Sequence, residues 1–460
     1  MRVLRTLIAL GAVTWAAQAC RQGELPPQGQ VLIYLDTNAP VRVARGPRDP
    51  VALFDHILVE IYPPGAATPC VECRREFVVD ADKMRARRHS FGFVPPPPRT
   101  VGYRVRLVLF RSAGGLGARR GSAIELVGYL PAVAEEGISE VTATFRVEDV
   151  GTVRGSLDAP IVFEKGAPVA SAEGSWPGAA VTNCETPAPE RAVCVPGGAF
   201  FMGDPRVTIE GTQIGGRRER IAVVSAFHLD TREVTIGEIR AANVAVVDSR
   251  GRATDPNDDT ADDIAGSCDY TTKPGPNEAL PVVCVSARLA QHYCETRGGD
   301  LPTEAELEMV ASLRGTVLLP WGSRDPACDE AVVARDLTRD GGAGCRDRDA
   351  VGVSGRILPE RAGSGSLDRV MLESGTIVDL GANVAEWTRD AFQRDDGRCW
   401  SSSLVFDPRC DDSGAAYRSI KGGDLRGVRV DFAQARRAVN IADQPATVGF
   451  RCAFRGPKKP

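Results

Sequence analysis

The sequence predicts an α+β protein in which an all-β, immunoglobulin-like sandwich precedes a domain of mixed helices and loops. Two observations predict it. Residues 31–150 hold short strand-like segments without helical periodicity, and the chain from Cys184 onward holds three short helices in loops dense in Gly, Asp and Cys. Residues 151–182 are rich in Gly, Ala, Ser and Pro with weak patterning, so we place a linker there and the sandwich at 30–150.

The chain begins with the pattern of an export signal. Two arginines precede an apolar stretch at residues 7–17, and small residues precede Cys20. This resembles a bacterial lipoprotein signal peptide (residues 1–20), after which Cys20 becomes the lipidated first residue. The alternative is a plain secretory signal cut after Ala19. Arg21, rather than Asp, is typical of the outer-membrane form. We therefore expect an outer-membrane lipoprotein of the bacterial cell envelope, held to the membrane through its lipid anchor only.

The composition excludes some classes of partner. The net charge of −4 argues against nucleic acid, because binding to phosphates needs a clustered excess of Lys and Arg. After the export signal, no stretch of the sequence is long and apolar enough to span a bilayer. With 43% hydrophobic and 25% charged residues, the chain is typical of a globular protein.

Six segments carry the prediction of the antiparallel sandwich. Each is short, rich in Val, Ile, Leu, Phe or Tyr, and bounded by Pro, Gly or charged turns. They are "VLIYLD" (31–36), "HILVEIY" (56–62), "EFVVDA" (76–81), "YRVRLVLF" (103–110), "AIELVGYL" (123–130) and "VTATFRV" (141–147). The "PPPP" run at 95–98 is expected to form a stiff loop inside the sandwich.

Three helices are predicted in the second part of the chain. Thr235 with Glu238, and Thr303 with Glu306, have the spacing of a capping box, and Ser286 is a third candidate N-cap. The helix after Thr303 lies in "LPTEAELE" (301–308), where glutamates in the first turn also favour the positive end of the helix dipole. Residues 315–460 show few regular periods and predict loops.

The chain has 13 cysteines, and lipidation of Cys20 would leave an even number. In an exported chain this predicts six disulfides, with metal binding as the alternative. Cys70 and Cys73 form the C-x-x-C pair. They are expected to form a local loop bridge, with a redox pair as the alternative.

Seven blocks resemble, in order, the formylglycine-generating enzyme (sulfatase-modifying factor) family. They are "VPGGAFFMGD" (195–204), "FHLDTREVT" (227–235), "PVVCVSARLAQHYCETRGGDLPTEAELE" (281–308), "PWG" (320–322), "DLGANVAEWTRD" (379–390), "IKGGDL" (420–425) and "VGFRCAFR" (448–455). The resemblance covers 184–455 and implies the family's α+β fold, similar to a C-type lectin. Arg436 and Arg437 resemble the arginine upstream of "GFR", and we expect them to support the fold.

The resemblance also implies what this chain lacks. The oxidases of the family hold Cu(I) with two cysteines between the "GGSW" and "GFRC" blocks, and soft thiolates are what such a site requires. Between Cys410 and Cys452 this sequence has no cysteine. We therefore predict no catalytic residues and no copper. The family's bridge to "GFRC" implies a Cys294–Cys452 disulfide. The remaining cysteines are assigned to sequence neighbours: Cys184–Cys194, Cys268–Cys284, Cys328–Cys345 and Cys399–Cys410.

The segment "GANVAEW" resembles the surroundings of a structural Ca²⁺ in the family, with hard oxygen ligands. The resemblance assigns the Glu386 carboxylate, Asn383 and the carbonyls of Ala382 and Val384. The alternative is a buried Glu386 paired with an arginine. The aspartate-rich stretch at 255–263 lacks the Gly and terminal Glu of an EF-hand and is expected to be a solvated loop, with a calcium site as the alternative.

Two functions remain open on the sequence. The first is a non-catalytic binding or scaffold lipoprotein that displays the family domain to a protein or glycan ligand at the envelope. The second is a divergent enzyme of the same family, an oxidoreductase acting on a protein or small thiol. Kinship of fold does not decide between them, because activity depends on the side chains of a site.

Overall fold

Two β-sheets build the first part of the protein, and smaller sheets with three helices build the rest. The computed structural model describes residues 29–96, 101–119, 121–133, 136–207, 218–244, 268, 270, 273–335, 345, 358–426 and 433–456. The fold-class prediction is confirmed in its coarse form, as strands preceding a mixed domain. Among the described helices, none has the length and apolar character that a membrane span requires.

Ten strands and one short helix lie between residues 29 and 182 in the described part of the chain. The elements are β1 (Gln30–Thr37), β2 (His56–Tyr62), β3 (Arg74–Val78), helix α1 (Ala81–Arg85), β4 (Ser90–Phe93), β5 (Arg104–Phe110), β6 (Ile124–Tyr129), β7 (Ile138–Phe145), β8 (Val153–Arg154), β9 (Ile161–Val162) and β10 (Glu164–Lys165). Each of the six predicted segments contains a strand, although "EFVVDA" (76–81) is strand only as far as Val78 and its last residue begins helix α1. Helix α1 was not expected; Asp80 caps it by accepting the Lys83 N–H.

The two sheets of this region have the orders β10-β7-β1-β4 and β3-β2-β5-β6-β8, with β9 also paired to β6. The prediction of a purely antiparallel sandwich is wrong, because β1 and β7 pair in parallel over their whole length. A parallel pair needs a long crossover. The chain between β1 and β7 supplies it by passing through the second sheet.

The residues predicted to form a linker take part in this region. Strands β8 and β9 extend the second sheet, β10 extends the first, and Trp176 is buried in the same core. Strands of two residues are too short to show a period of two, so the sequence pattern gave no sign of them.

Alternation explains which faces are buried. In β1, Val31, Ile33 and Leu35 point into the core at a period of two. Strands β2 and β5 are buried on both faces, because Leu58 and Val108 pack in a separate cluster on the outer face.

The second region has twelve described strands and three helices. They are β11 (Ala192–Val195), β12 (Gly198–Met202), β13 (Arg220–Val224), β14 (Phe227–Asp230), α2 (Ile236–Ala241), α3 (Ala287–Thr296), α4 (Glu304–Ala311), β15 (Arg369–Leu372), β16 (Gly375–Val378), β17 (Ala385–Ala391), β18 (Leu404–Phe406), β19 (Tyr417–Lys421), β20 (Arg437–Asn440), β21 (Val448–Gly449) and β22 (Ala453–Arg455). The three predicted helices are confirmed. The strands after residue 369 were missed, since most have two to five residues.

The helix ends follow the predicted chemistry. The Thr235 and Thr303 hydroxyls accept the N–H groups of Glu238 and Glu306, whose carboxylates accept the cap N–H in return. Ser286 caps α3. Gly298 ends α3 at φ +77°, a backbone conformation that favours glycine.

Short sheets surround these helices. Their strand orders are β11-β14-β22, β12-β13-β18, β15-β16 and β20-β19-β17-β21. The structure contains the same six disulfides that the sequence analysis assigned: Cys70–Cys73, Cys184–Cys194, Cys268–Cys284, Cys294–Cys452, Cys328–Cys345 and Cys399–Cys410. The Cys294–Cys452 bridge spans 158 residues and joins α3 to the segment before β22.

The two regions share apolar and polar contacts. The rings of Phe54 and Phe201 meet edge to face at 5.8 Å, and Phe201 belongs to the same buried cluster as the sandwich core. Arg111 reaches across to Glu219 at 3.3 Å and donates to the Gly315 carbonyl. Ser122 donates to the same Glu219 carboxylate.

Candidate functional site

The three glutamates of "LPTEAELE" are all buried, with Glu304 and Glu308 fully enclosed and Glu306 5% exposed. Each meets a cation from a distant segment. The pairs are Glu304–Arg436 at 3.1 Å, Glu306–Arg455 at 2.5 Å and Glu308–Lys421 at 2.7 Å. A buried carboxylate needs such a partner, because desolvation of an unpaired charge is costly. The glutamates therefore join α4 to strand β19, to the residue before β20 and to strand β22, which belong to two different sheets.

Arg436 has the structural role expected of it. Its Nη1 donates to both oxygens of Glu304, and its guanidinium lies over the rings of Trp400 and Phe392. Arg437 pairs with Asp424 at 3.1 Å.

One buried carboxyl group next to Glu304, that of Asp390, has a raised pKa. Asp390 is fully buried and accepts the N–H groups of Glu304 and Cys410. Burial, together with the nearby Glu304, raises the pKa of Asp390 to about 7.

The residues assigned to calcium lie together in the segment before and within β17, but their side chains are engaged. Both Glu386 oxygens accept from Arg451, at 2.8 Å from Nε and 2.6 Å from Nη2. The Asn383 amide donates to Glu233 and Glu360, and its oxygen accepts the Glu360 N–H. Glu386 is thus buried and paired with Arg451, which is the arrangement that the sequence left open as the alternative to calcium. A cation at these residues would share Glu386 with a guanidinium, so the assigned set fits Ca²⁺ poorly.

Two buried oxygens in this neighbourhood have no hydrogen-bond partner among the described residues, Glu233 Oε2 and Asp379 Oδ1. Burial raises the pKa of both carboxyls, that of Asp379 to about 7. Neither carboxylate was predicted from the sequence. Their positions, just before a capping box and at the start of "DLGANVAEW", resemble ordinary loop carboxylates.

The cysteines of the described residues do not fit copper. All twelve are in disulfides, so none of them offers a thiolate. Cys184, Cys194 and His228 lie close enough to share a metal ion, but the two sulfurs are bonded to each other. Cys20, the "PPPP" residues 97–98 and the acidic stretch 255–263 lie outside the described residues.

An open cleft of about 790 Å³ lies between the start of α3, the end of β17 and the segments 409–415 and 441–444. We call it the arginine cleft. Four guanidinium groups and two carboxylates line it: Arg288, Arg389, Arg409, Arg418, Asp411 and Asp412. The cations come from four separate segments, and no sequence pattern indicates that they converge.

The arginines of this cleft differ in how far they are neutralised. Arg409 pairs with Asp411 at 2.6 Å, and Arg389 pairs with Asp300 at 3.0 Å. Arg418 is half-buried and donates to the neutral Gln291 side chain and the Arg389 carbonyl. Burial and the nearby Arg389 lower the pKa of the Arg418 guanidinium. Exposed Arg288 has no ion pair with the described residues.

Comparison with known proteins gives a family and distant structural similarities. Residues 178–455 match the sulfatase-modifying factor enzyme 1-like domain. Among curated proteins, none matches the chain significantly.

Three solved structures are distantly similar to part of this chain. PvdO from Pseudomonas aeruginosa is 20% identical, with 61% of this chain and 98% of that chain covered and a TM-score of 0.41. Treponema denticola variable protein 1 is 14% identical (58% and 95% covered, TM-score 0.36), and CarF is 13% identical (58% and 98%, TM-score 0.33). The matched domain occupies more than half of the 460 residues, and the chain therefore belongs to the family of sulfatase-modifying factor enzyme 1-like proteins.

Proposed function

We propose that this is an exported, lipid-anchored protein whose family domain binds a partner at the bacterial cell envelope and does not oxidise cysteine. One observation carries the proposal: the stretch 411–451 has no cysteine, and the twelve cysteines of the described residues are bridged. Copper(I) needs soft ligands, and the Arg, Asp and Gln side chains of that stretch do not supply them.

The contacts of the domain suit a binding scaffold. The glutamates of α4 are neutralised by cations, and Arg436 is packed between rings. These groups hold the elements together and leave no free nucleophile among them. By contrast, the arginine cleft is open, charged and lined on one side by strand β17. We propose that the ligand binds in this cleft.

An alternative function is a divergent enzyme of the family, an oxidoreductase on a protein or small thiol. One observation favours it: Asp390, with a pKa near 7, lies between the cleft residues Arg389 and Ala391, and perturbed carboxyls are frequent at catalytic sites. Asp390 is, however, fully buried and both of its oxygens accept backbone N–H groups. These contacts support a structural role.

Other parts of the proposal concern anchoring and metal. We propose lipidation at Cys20 and an outer-membrane location. Lipidation is supported if the wild type incorporates a radioactive fatty acid and Cys20→Ala does not. Structural calcium near Glu386 rests on the family resemblance alone, since the Arg451 pairing argues against Glu386 as a ligand. If calcium binds there, chelation should lower the melting temperature. An immunoglobulin-like topology for the sandwich and a C-type-lectin-like topology for the family domain belong to the same proposal.

The decisive experiment is an assay for formylglycine. The protein from residue 21 to residue 460 is incubated in air with copper and a Cys-x-Pro-x-Arg peptide, and the peptide mass is followed. We expect no loss of mass with or without copper, because no thiolate pair is available. A mass loss that persists after repurification of the protein would overturn the proposal.

A further inference from the structure

We infer that the arginine cleft binds a peptide segment rich in carboxylates, so that the partner of this protein is an acidic polypeptide. This inference rests on the proposed binding function and names the chemistry of its ligand. The observation behind it is that four arginines line one open cleft, whereas only two carboxylates do.

Charge balance within the cleft favours an anionic ligand. Arg409 and Arg389 already have carboxylate partners in Asp411 and Asp300. Arg288 and Arg418 have no carboxylate in ion-pair distance among the described residues. Asp412, the other carboxylate of the lining, accepts from Gln393 and the Gly414 N–H and not from an arginine of the described residues. Two guanidinium groups are therefore left to meet charges from outside. Since Arg presents a planar fork that matches a carboxylate, two acidic side chains would satisfy them.

The surroundings of Arg418 strengthen this point. It is half-buried beside Arg389, so its charge is partly desolvated and repelled by a like charge, and the carboxylates of Asp300, Asp390 and Asp411 offset these effects only in part. An incoming carboxylate would relieve both effects. Gln291 and the Arg389 carbonyl hold the guanidinium in place, which lowers the entropy cost of binding.

Size and lining decide between a peptide and a sugar. A volume of about 790 Å³ accommodates several amino-acid residues or a short oligosaccharide. Among the described residues that line the cleft, none is aromatic, so a sugar ring has no face on which to stack. The lining offers arginines, small alanines and the amides of Gln291 and Gln444, which suit side-chain carboxylates and a peptide backbone.

Fluorescence anisotropy with labelled tetra-glutamate tests the inference on the full chain. We expect saturable binding that weakens as salt is added, since the attraction is electrostatic. Arg418→Gln should weaken it about tenfold, the loss expected for one charge-assisted hydrogen bond. Arg288→Glu should weaken it at least as much without disturbing the packing, because Arg288 is exposed. Arg394→Gln, an exposed arginine paired with Asp396 and absent from the cleft lining, is the matched control and should bind as the wild type.

Four outcomes overturn the inference. They are no binding of tetra-glutamate by the wild type, unchanged binding by both cleft variants, an equal loss in Arg394→Gln, and stronger binding of tri-galacturonate than of tetra-glutamate. Melting temperatures of the variants separate a binding defect from misfolding. If the formylglycine assay is negative and tetra-glutamate does not bind, this inference fails alone; formylglycine formation would instead remove the proposed function.

Discussion

The glutamates of helix α4 meet cations that lie 113 to 149 residues further along the chain. Charge at Glu304 and Glu306, in the first turn, suits the helix dipole, yet burial is what makes the partners of all three glutamates necessary. Glu304 also acts on a second carboxyl, because its charge lies close to Asp390 and raises the pKa of that group. A buried acid near a buried carboxylate holds its proton to higher pH than an exposed one.

This arrangement predicts a pH dependence of stability. The pKa of Asp390 rises from its ordinary 3.8 to about 7 in the folded protein, so protonation stabilises the fold. That stabilisation is complete below pH 3.8 and is lost as the pH rises through about 7. We expect deprotonation of Asp390 to lower the free energy of unfolding by on the order of 2 kcal/mol as the pH is raised from 5 to 8. Denaturant titrations across this range measure it.

The variant Asp390→Asn should reduce this slope without abolishing it, because the pKa of Asp379 is also raised to about 7 and Asp379 titrates in the same range. The variant should also lower stability below about pH 7, where the wild-type carboxyl is protonated, because its amide group leaves one of the two backbone N–H donors without an acceptor. Asp158→Asn, at an exposed position, is the control and should keep the wild-type slope. An unchanged slope in Asp390→Asn would show that other groups cause the pH dependence.

At the scale of elements, helix α4 depends on its capping box. Thr303 accepts the Glu306 N–H at 3.2 Å, and Glu306 accepts the Thr303 N–H at 2.7 Å while also pairing with Arg455. The same two side chains thus begin the helix and attach it to β22.

We expect Thr303→Ala to lower the free energy of unfolding by about 1 kcal/mol, since the Glu306 N–H loses its acceptor. Thr303→Ser keeps the hydroxyl and removes the methyl group, so it should retain most of the stability. Equal losses in the two variants, measured by chemical denaturation, would assign the effect to the methyl group and contradict the capping argument.

At the scale of the whole molecule, the sandwich and the family domain share one buried cluster. Phe201 belongs to β12 in the family domain, yet it packs against Phe54 and lies under the Arg111 guanidinium. We expect the two regions to unfold together for this reason, because separation would expose the ring and break the Arg111–Glu219 pair.

Phe201→Ala should lower the free energy of unfolding by about 3–5 kcal/mol and weaken this coupling. Calorimetry should then show two transitions in place of one. Phe406→Ala removes the same ring from a position that is 62% exposed and should change little. A single transition at the wild-type temperature in Phe201→Ala would mean that the regions do not stabilise each other through this contact.

The sequence by itself determined what depends on local pattern. The six sandwich strands and the caps Thr235, Ser286 and Thr303 could be predicted because periodicity and capping act over a few residues. The family followed from seven ordered blocks, and the missing copper ligands from the absence of cysteine in 411–451. Two-residue strands such as β8 and β9 could not be found, since they show no period.

Only the tertiary structure decided the rest. In the folded chain β1 pairs with β7 in parallel, Glu386 forms an ion pair with Arg451, and four arginines from separate segments line one cleft. An arginine looks the same in sequence whether it is solvated, paired or facing an open cleft. Its role depends on desolvation and on the charges within a few ångströms, and these are properties of the folded chain.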